Sequence, residues 1–172
     1  MPLEILGLAD LNLPSPEETG LTLEENALLK ARYGYERTGL PTVAEDTGLV
    51  VPALHGMPGV FSARFAGEEA SDADNRRKLL HLLQNLSDRR AAFISVVAFV
   101  DGSTLRLFQG EVEGWIAREE RGTGGFGYDP VFVYPPWGLS FAEMPLAWKN
   151  RISHRRKAWE QVRTFLKTRL LD

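Results

Sequence analysis

Residues 93–118 read FISVVAFVDGSTLRLFQGEVEGWIAR, and this stretch decides the fold class. It divides into three β-rich runs, 93–100, 104–109 and 112–118, the first two joined by the turn pair Asp101-Gly102. Strands that follow one another with no helix between them exclude a regular doubly wound sheet. Outward from this core the pattern becomes helical. Thr22 followed three residues later by Glu25 is a capping box, each side chain able to bond the other residue's backbone N–H, and it predicts a helix over 23–37. Gly39 should end that helix and Pro41 prevent its resumption. Ser71 caps a second predicted helix to residue 86, with Leu79, Leu82, Leu83 and Leu86 on one apolar face. A last helix should begin near Ser153 and bury Trp159, Val162, Leu166 and Leu170. Short strands are expected at 3–8, 42–44 and 49–54, the last two separated by Glu45-Asp46-Thr47-Gly48. The class is α/β in the mixed, α+β sense.

A chain of 172 residues, 44% hydrophobic, suits one compact domain over residues 1–172. It has no cysteine, which excludes disulfides, thiolate metal sites and a cysteine nucleophile, and fits a reducing, cytoplasmic setting. The longest apolar run, 91–100, is about half of the roughly 20 residues a spanning helix needs, and the start lacks the basic residues of a signal peptide, so no membrane partner is expected. A net charge of −3 and a pI near 5.7 repel a polyanion, so long nucleic acid is not an expected ligand. A local basic pocket can still hold a small anion.

Four segments carry chemistry. Glu45 and Asp46 are adjacent carboxylates before Thr47-Gly48, a turn signal that also suits oxygen ligation of a hard cation. Glu17-Glu18 precedes the first helix, where acids favour the helix dipole. On that helix Asn26 and Lys30, four apart, share a face. Residues 121–130, RGTGGFGYDP, hold four glycines and two rings; no free helix N-terminus follows, so this is not a dinucleotide fingerprint, but the backbone can approach a ligand and Phe126 or Tyr128 can stack on a base. Residues 149–157, KNRISHRRK, place His154 and Arg155 in the first turn of a helix capped by Ser153, where cations oppose the dipole and hint at a function that offsets the cost. Three scattered histidines form neither a Ser/His/Asp arrangement nor a zinc spacing.

Taken in order, ETGLTLEENALLKAR, TGLPTVAEDTGLVVPALHGMPGVFSARFAG, RGTGGFGYDPVF, FAEM and KNRISHRRKA resemble the motifs of the inosine triphosphatase family of nucleoside triphosphate pyrophosphatases. The resemblance implies hydrolysis of dITP, ITP or XTP to the nucleoside monophosphate and pyrophosphate with Mg2+, in a homodimer built on an elongated mixed sheet whose two lobes flank a cleft. It implies Asp46 as the acid that activates water and sits at the metal, Glu18 (or Glu17 beside it) as the second metal-side acid, and Lys30 as a phosphate contact. Thr47 stands where the family usually has serine. Phe126, Gly127, Tyr128 and Asp129, with Lys149, His154 and Arg155, match the base-recognition set. Members of that family begin with a strand, a Ser/Thr-x-Asn-x-x-Lys loop that holds the triphosphate, and a helix, whereas this chain starts at what resembles the second strand. That difference of roughly 20 to 25 residues leads to the expectation of weakened phosphate binding, and to a second reading as a catalytically impaired nucleotide-binding or structural homologue.

Overall fold

The computed structural model describes residues 3–171. Its centre is an antiparallel ladder of three long strands, β1 (Thr42–Val50), β2 (Arg90–Val100) and β3 (Leu105–Ile116), extended by the short β4 (Phe132–Tyr134) and β5 (Leu139–Ser140) in the order β1-β2-β3-β4-β5. The mixture of helices and strands is as expected. Every pairing among the described strands is antiparallel.

Two helices cover opposite faces of the ladder. On one, α1 (Leu23–Thr38) sets Leu23, Ala27 and Ala31 against Val96, Ala98 and Val100; on the other, α4 (His154–Leu171) sets Ala158 and Val162 against Val97, Phe99 and Phe108. Strand alternation makes this possible, since neighbouring residues of β2 point to opposite faces. A larger core beyond them joins Leu49, Phe93, Ile116, Phe132 and Phe141 to Leu79 and Leu83 of α2 (Asp72–Leu83). Each of those two leucines is fully buried, worth about 1.5–3 kcal/mol.

Helix α1 ends at Gly39, which takes a left-handed φ of 68°. Its capping box is half formed: Thr22 Oγ1 accepts from the Glu25 N–H, but Glu25 Oε2 accepts from the N–H of Leu21 rather than that of Thr22. Ser71 and Asp74 make the complete reciprocal box on α2. That helix stops at Leu83, and Leu82 (38% exposed) and Leu86 (36%) stay outside the core.

Four expectations are corrected. Residues 3–8 form no strand; the segment runs exposed into a short 3-10 turn, Ala9–Leu11. The pieces expected at 42–44 and 49–54 are one continuous strand, β1, because each residue from Thr42 to Val50 pairs with β2 and the ladder overrides the turn preference of Asp-Thr-Gly; residues Pro52–Leu54 are 3-10 instead. The runs 104–109 and 112–118 likewise merge into β3. Gly110, which separates them in the sequence, is needed because α4 lies directly on the strand: a Cβ there would stand 2.0 Å from the carbonyl oxygen of His154. An extra helix, α3 (Leu146–Ile152), precedes α4. On α4, Val162 is buried and Leu166 partly so, while Trp159 is 38% exposed; the side chain of Leu170 lies outside the described residues. No described helix is long and apolar enough to cross a membrane.

Candidate active site

Because β1 alternates, Glu45 and Asp46 leave the same strand in opposite directions. Asp46 faces α1, where Lys30 Nζ donates to Asp46 Oδ1 at 3.0 Å and to Glu18 Oε1 at 2.8 Å. Glu17 is exposed and Glu18 is the acid at this cluster. Helix periodicity brings Asn26 to the same place one turn before Lys30; it is fully buried and its Oδ1 accepts from the Gly20 N–H at 2.7 Å. The cluster is under-satisfied. Asp46 Oδ2 and Asn26 Nδ2 are buried without a well-formed hydrogen bond, although the nearby Asn26 amide helps to lower the Asp46 pKa. Burial pushes the Asp46 carboxyl above the usual range, with the neighbouring Glu18 charge adding to it, against the Lys30 ammonium that lowers it. Burial also works against charge on Lys30, but its two carboxylate partners hold its pKa above the ordinary value.

On the other face of β1 lies a cavity of about 350 Å³, in the size range of small-molecule sites. Thr47, Phe126, Gly127, Tyr128, Asp129, Lys149, His154 and Arg155 all line it. The glycine-rich segment is folded by contacts distant in sequence. Asp129 Oδ2 accepts from the Phe126 N–H, and a Cβ on Gly125, at φ 68°, would lie 2.1 Å from the same oxygen. Asp72 and Arg76 of α2 hold Gly127 from both sides, Asp72 Oδ2 accepting its N–H and Arg76 Nη1 donating to its carbonyl. Phe126 is left 61% exposed, with Lys149 Nζ 4.6 Å and Arg155 Cζ 5.7 Å from its ring centroid. Tyr128, by contrast, is buried and donates to the Ser62 carbonyl at 2.7 Å, its hydroxyl pKa pushed up by burial. Phe126 is therefore the ring available for stacking, and Tyr128 is part of the wall.

The remaining polar groups differ in freedom. Asp129 is committed to Lys149, whose Nζ lies 2.5 Å from Oδ2 in a pair about nine-tenths buried. His154 stacks on Phe93, ring centroids 4.9 Å apart, and its Nδ1 is buried with no partner. Burial lowers its pKa to about 4, with the Arg155, Lys149 and Lys157 charges acting the same way, so it is a neutral imidazole at pH 7.

The expected site residues thus fall into two groups rather than one. Glu18, Lys30 and Asp46 form the cluster under α1; the other eight line the cavity, and none of the first three does. Strand β1 runs between the two, Asp46 turned to one and Thr47 to the other. Sequence reasoning missed Ser62, Asp72, Arg76 and Ser95, which fix this geometry. Asp72 had one visible signal, its place in a helix first turn, and that signal is equally explained by the dipole.

The chain matches the model of the Ham1 family over residues 1–165. It is 50% identical to a dITP/XTP pyrophosphatase of Haemophilus influenzae over 169 residues, which covers 95% of this chain and 86% of that protein. Its structure is similar to that of the Staphylococcus aureus Ham1 protein, with a TM-score of 0.91, 40% identity, and coverage of 94% of this chain and 85% of that one. It is also similar to a nucleoside-triphosphatase / dITP/XTP pyrophosphatase from Mycobacterium abscessus, with a TM-score of 0.81, 42% identity, and coverage of 92% and 86%.

Proposed function

This chain belongs to the Ham1 family, and we propose from that premise that it hydrolyses non-canonical purine nucleoside triphosphates such as dITP, ITP and XTP to the monophosphate and pyrophosphate. The observation that carries the reading is the division across β1: a buried, incompletely bonded acid on one face, and on the other a cavity where an exposed ring lies close to two cations. Among the described strands β1 is an edge of the sheet, so a nucleotide can cross it at Asp46 and Thr47, base on one side and phosphates on the other. The reading as an impaired homologue is not favoured, since relatives carrying the pyrophosphatase name match over most of their length.

The residues fit a magnesium ion. Such an ion takes oxygen ligands and needs only one or two protein carboxylates when substrate phosphates supply more. Glu18 and Asp46 are such a pair, and among the described residues no group of three or more metal-ligating side chains occurs. When bound, the ion would neutralise phosphate charge. The chain's own residues do the rest. Asp46, made more basic by burial, takes a proton from the water that attacks the α-phosphorus, and pyrophosphate leaves. Lys30 balances the two acids and presents positive charge to the phosphates. In the cavity Phe126 stacks on the base. Arg155 and Lys149 supply donors to the keto oxygen at position 6 of hypoxanthine or xanthine, where adenine presents an amino donor that would face other donors. The neutral His154 adds one donor or acceptor.

The homodimer rests on the resemblance and the cytoplasmic setting on the lack of cysteine; sedimentation analysis tests the first. The reaction is tested by offering ITP, XTP and ATP with Mg2+ in 18O-labelled water. Equimolar pyrophosphate and monophosphate, the label on the monophosphate, and a kcat/KM at least about a hundredfold higher for the keto purines, roughly 2.7 kcal/mol, are expected. Release of orthophosphate, or equal use of ATP, would overturn it.

A further inference from the structure

Glu45 has no part in the mechanism above, yet it is the most heavily bonded carboxylate at the site. Its Oε1 accepts from Thr47 Oγ1 at 2.8 Å, Ser95 Oγ at 2.7 Å and Arg155 Nε at 2.7 Å, and its Oε2 accepts from Trp159 Nε1 at 3.0 Å. These donors come from β1 itself, from β2 and from the first two turns of α4. Its oxygens are spoken for, so it is neither a free base nor a free ligand. What it does is grip an arginine.

Arg155 is about half exposed, and a long side chain in that situation ordinarily samples many rotamers, with about 2 kcal/mol of entropy at stake. An exposed ion pair would do little to restrain it. Glu45 is different, because its side chain is only 19% exposed and is itself fixed by three other donors. Holding Nε leaves the two Nη ends of the guanidinium unclaimed, on the rim of the cavity and beside the Phe126 ring.

We propose that Glu45 is a positioning residue for base selection: anchored by Ser95, Thr47 and Trp159, it fixes the plane of Arg155 so that the two Nη groups meet a keto oxygen on the purine stacked at Phe126. The ligand class is a 6-oxopurine nucleotide, and the inference rests on the function proposed above. It accounts for two features nothing else explains. The indole of Trp159, on a helix position expected to be core, is 38% exposed because its N–H reaches Glu45. The hydroxyl of Thr47 points to Glu45 rather than into the cavity it lines.

The test is a mutant cycle read as the ITP-over-ATP ratio of kcat/KM, with thermal melts on the same preparations. Glu45→Ala should lower the ratio by about tenfold, chiefly through a higher KM for ITP, while its ATP activity is not reduced. Glu45→Gln keeps an acceptor for Arg155 Nε and should recover most of the ratio. If Glu45 acts through Arg155, the double variant Glu45→Ala/Arg155→Ala should be no less selective than Arg155→Ala alone. Losses that multiply in the double variant, or equal losses on ITP and ATP in Glu45→Ala, would overturn the assignment. Should Glu45→Ala fail to fold, Trp159→Phe carries the test: freeing the far carboxylate oxygen should cost about threefold in the ratio, and an unchanged ratio would overturn the assignment. A wild-type enzyme that does not prefer ITP would overturn the proposed function and this inference together, whereas a selective wild type with an equally selective Glu45→Ala would overturn this inference alone.

Discussion

Glu45 and Asp46 are consecutive, both acidic and both largely buried on one strand, yet they end in opposite chemical states. Glu45 has four donors and its pKa is held at about 2; Asp46 has one oxygen with no partner and its pKa is pushed up. The first is a fixed anion suited to holding another side chain. The second, its pKa raised by burial, suits the role of base proposed above. The contrast comes from which helix each meets: α4 brings Arg155 and Trp159 to Glu45, while α1 brings Lys30 and a weakly engaged Asn26 amide to Asp46. Carboxylate chemistry on this strand is thus decided by tertiary packing, one residue at a time.

The largest effect should follow from breaking the Asp46 side. Asp46→Asn keeps the shape and removes the charge, and should lower pyrophosphate release by about a thousandfold, roughly 4 kcal/mol of transition-state stabilisation, with the fold intact. Retention of more than about a tenth of the activity would show that Asp46 is not the base. Next in size is a contrast of two lysines. Lys149→Met strands the Asp129 charge in a nearly buried place and should destabilise the protein by about 3 kcal/mol in urea unfolding. Lys30→Met leaves Asp46, whose side chain is 11% exposed, without its cation, but Glu18 is 32% exposed and burial already raises the Asp46 pKa, so proton uptake softens the loss to about 2 kcal/mol. Equal losses would mean that the two faces are not differently solvated.

The smallest effect concerns His154. The unfolded chain takes up a proton near the ordinary histidine pKa of 6.5, but the folded protein stays neutral down to about 4. Between those values the unfolded state binds more protons, so stability is complete above about pH 6.5 and is lost as pH falls toward 4. The expected loss between pH 8 and pH 5 is about 2 kcal/mol, measured by urea unfolding, and His154→Gln should flatten that slope. An equally steep slope in the variant would place the acid sensitivity elsewhere.

Much of this was legible in the sequence for local reasons. Caps at Thr22 and Ser71, the glycine stop at Gly39 and the Asp101 turn, where Asp101 Oδ1 accepts from the N–H groups of Ser103 and Thr104, depend on residues a few positions apart. The cavity residues were legible as motifs. What was not legible depends on distance along the chain. Asp-Thr-Gly reads as a turn, and only pairing with β2 makes it strand. Trp159 reads as core by its helical spacing, and only the partner at Glu45, 114 residues away, pulls its ring to the surface. The choice between the two neighbouring acids could not be read locally at all, since their sequence surroundings are shared.

On the function proposed above, rate and selectivity reside on opposite faces of β1. The most direct test is calorimetric binding of ITP and ATP to Asp46→Asn, in parallel with its pyrophosphate release. The variant is expected to bind ITP over ATP with the wild-type preference, within about twofold, roughly 0.4 kcal/mol, while turnover is lost. A variant that loses the preference together with the turnover, or that keeps the turnover, would contradict it.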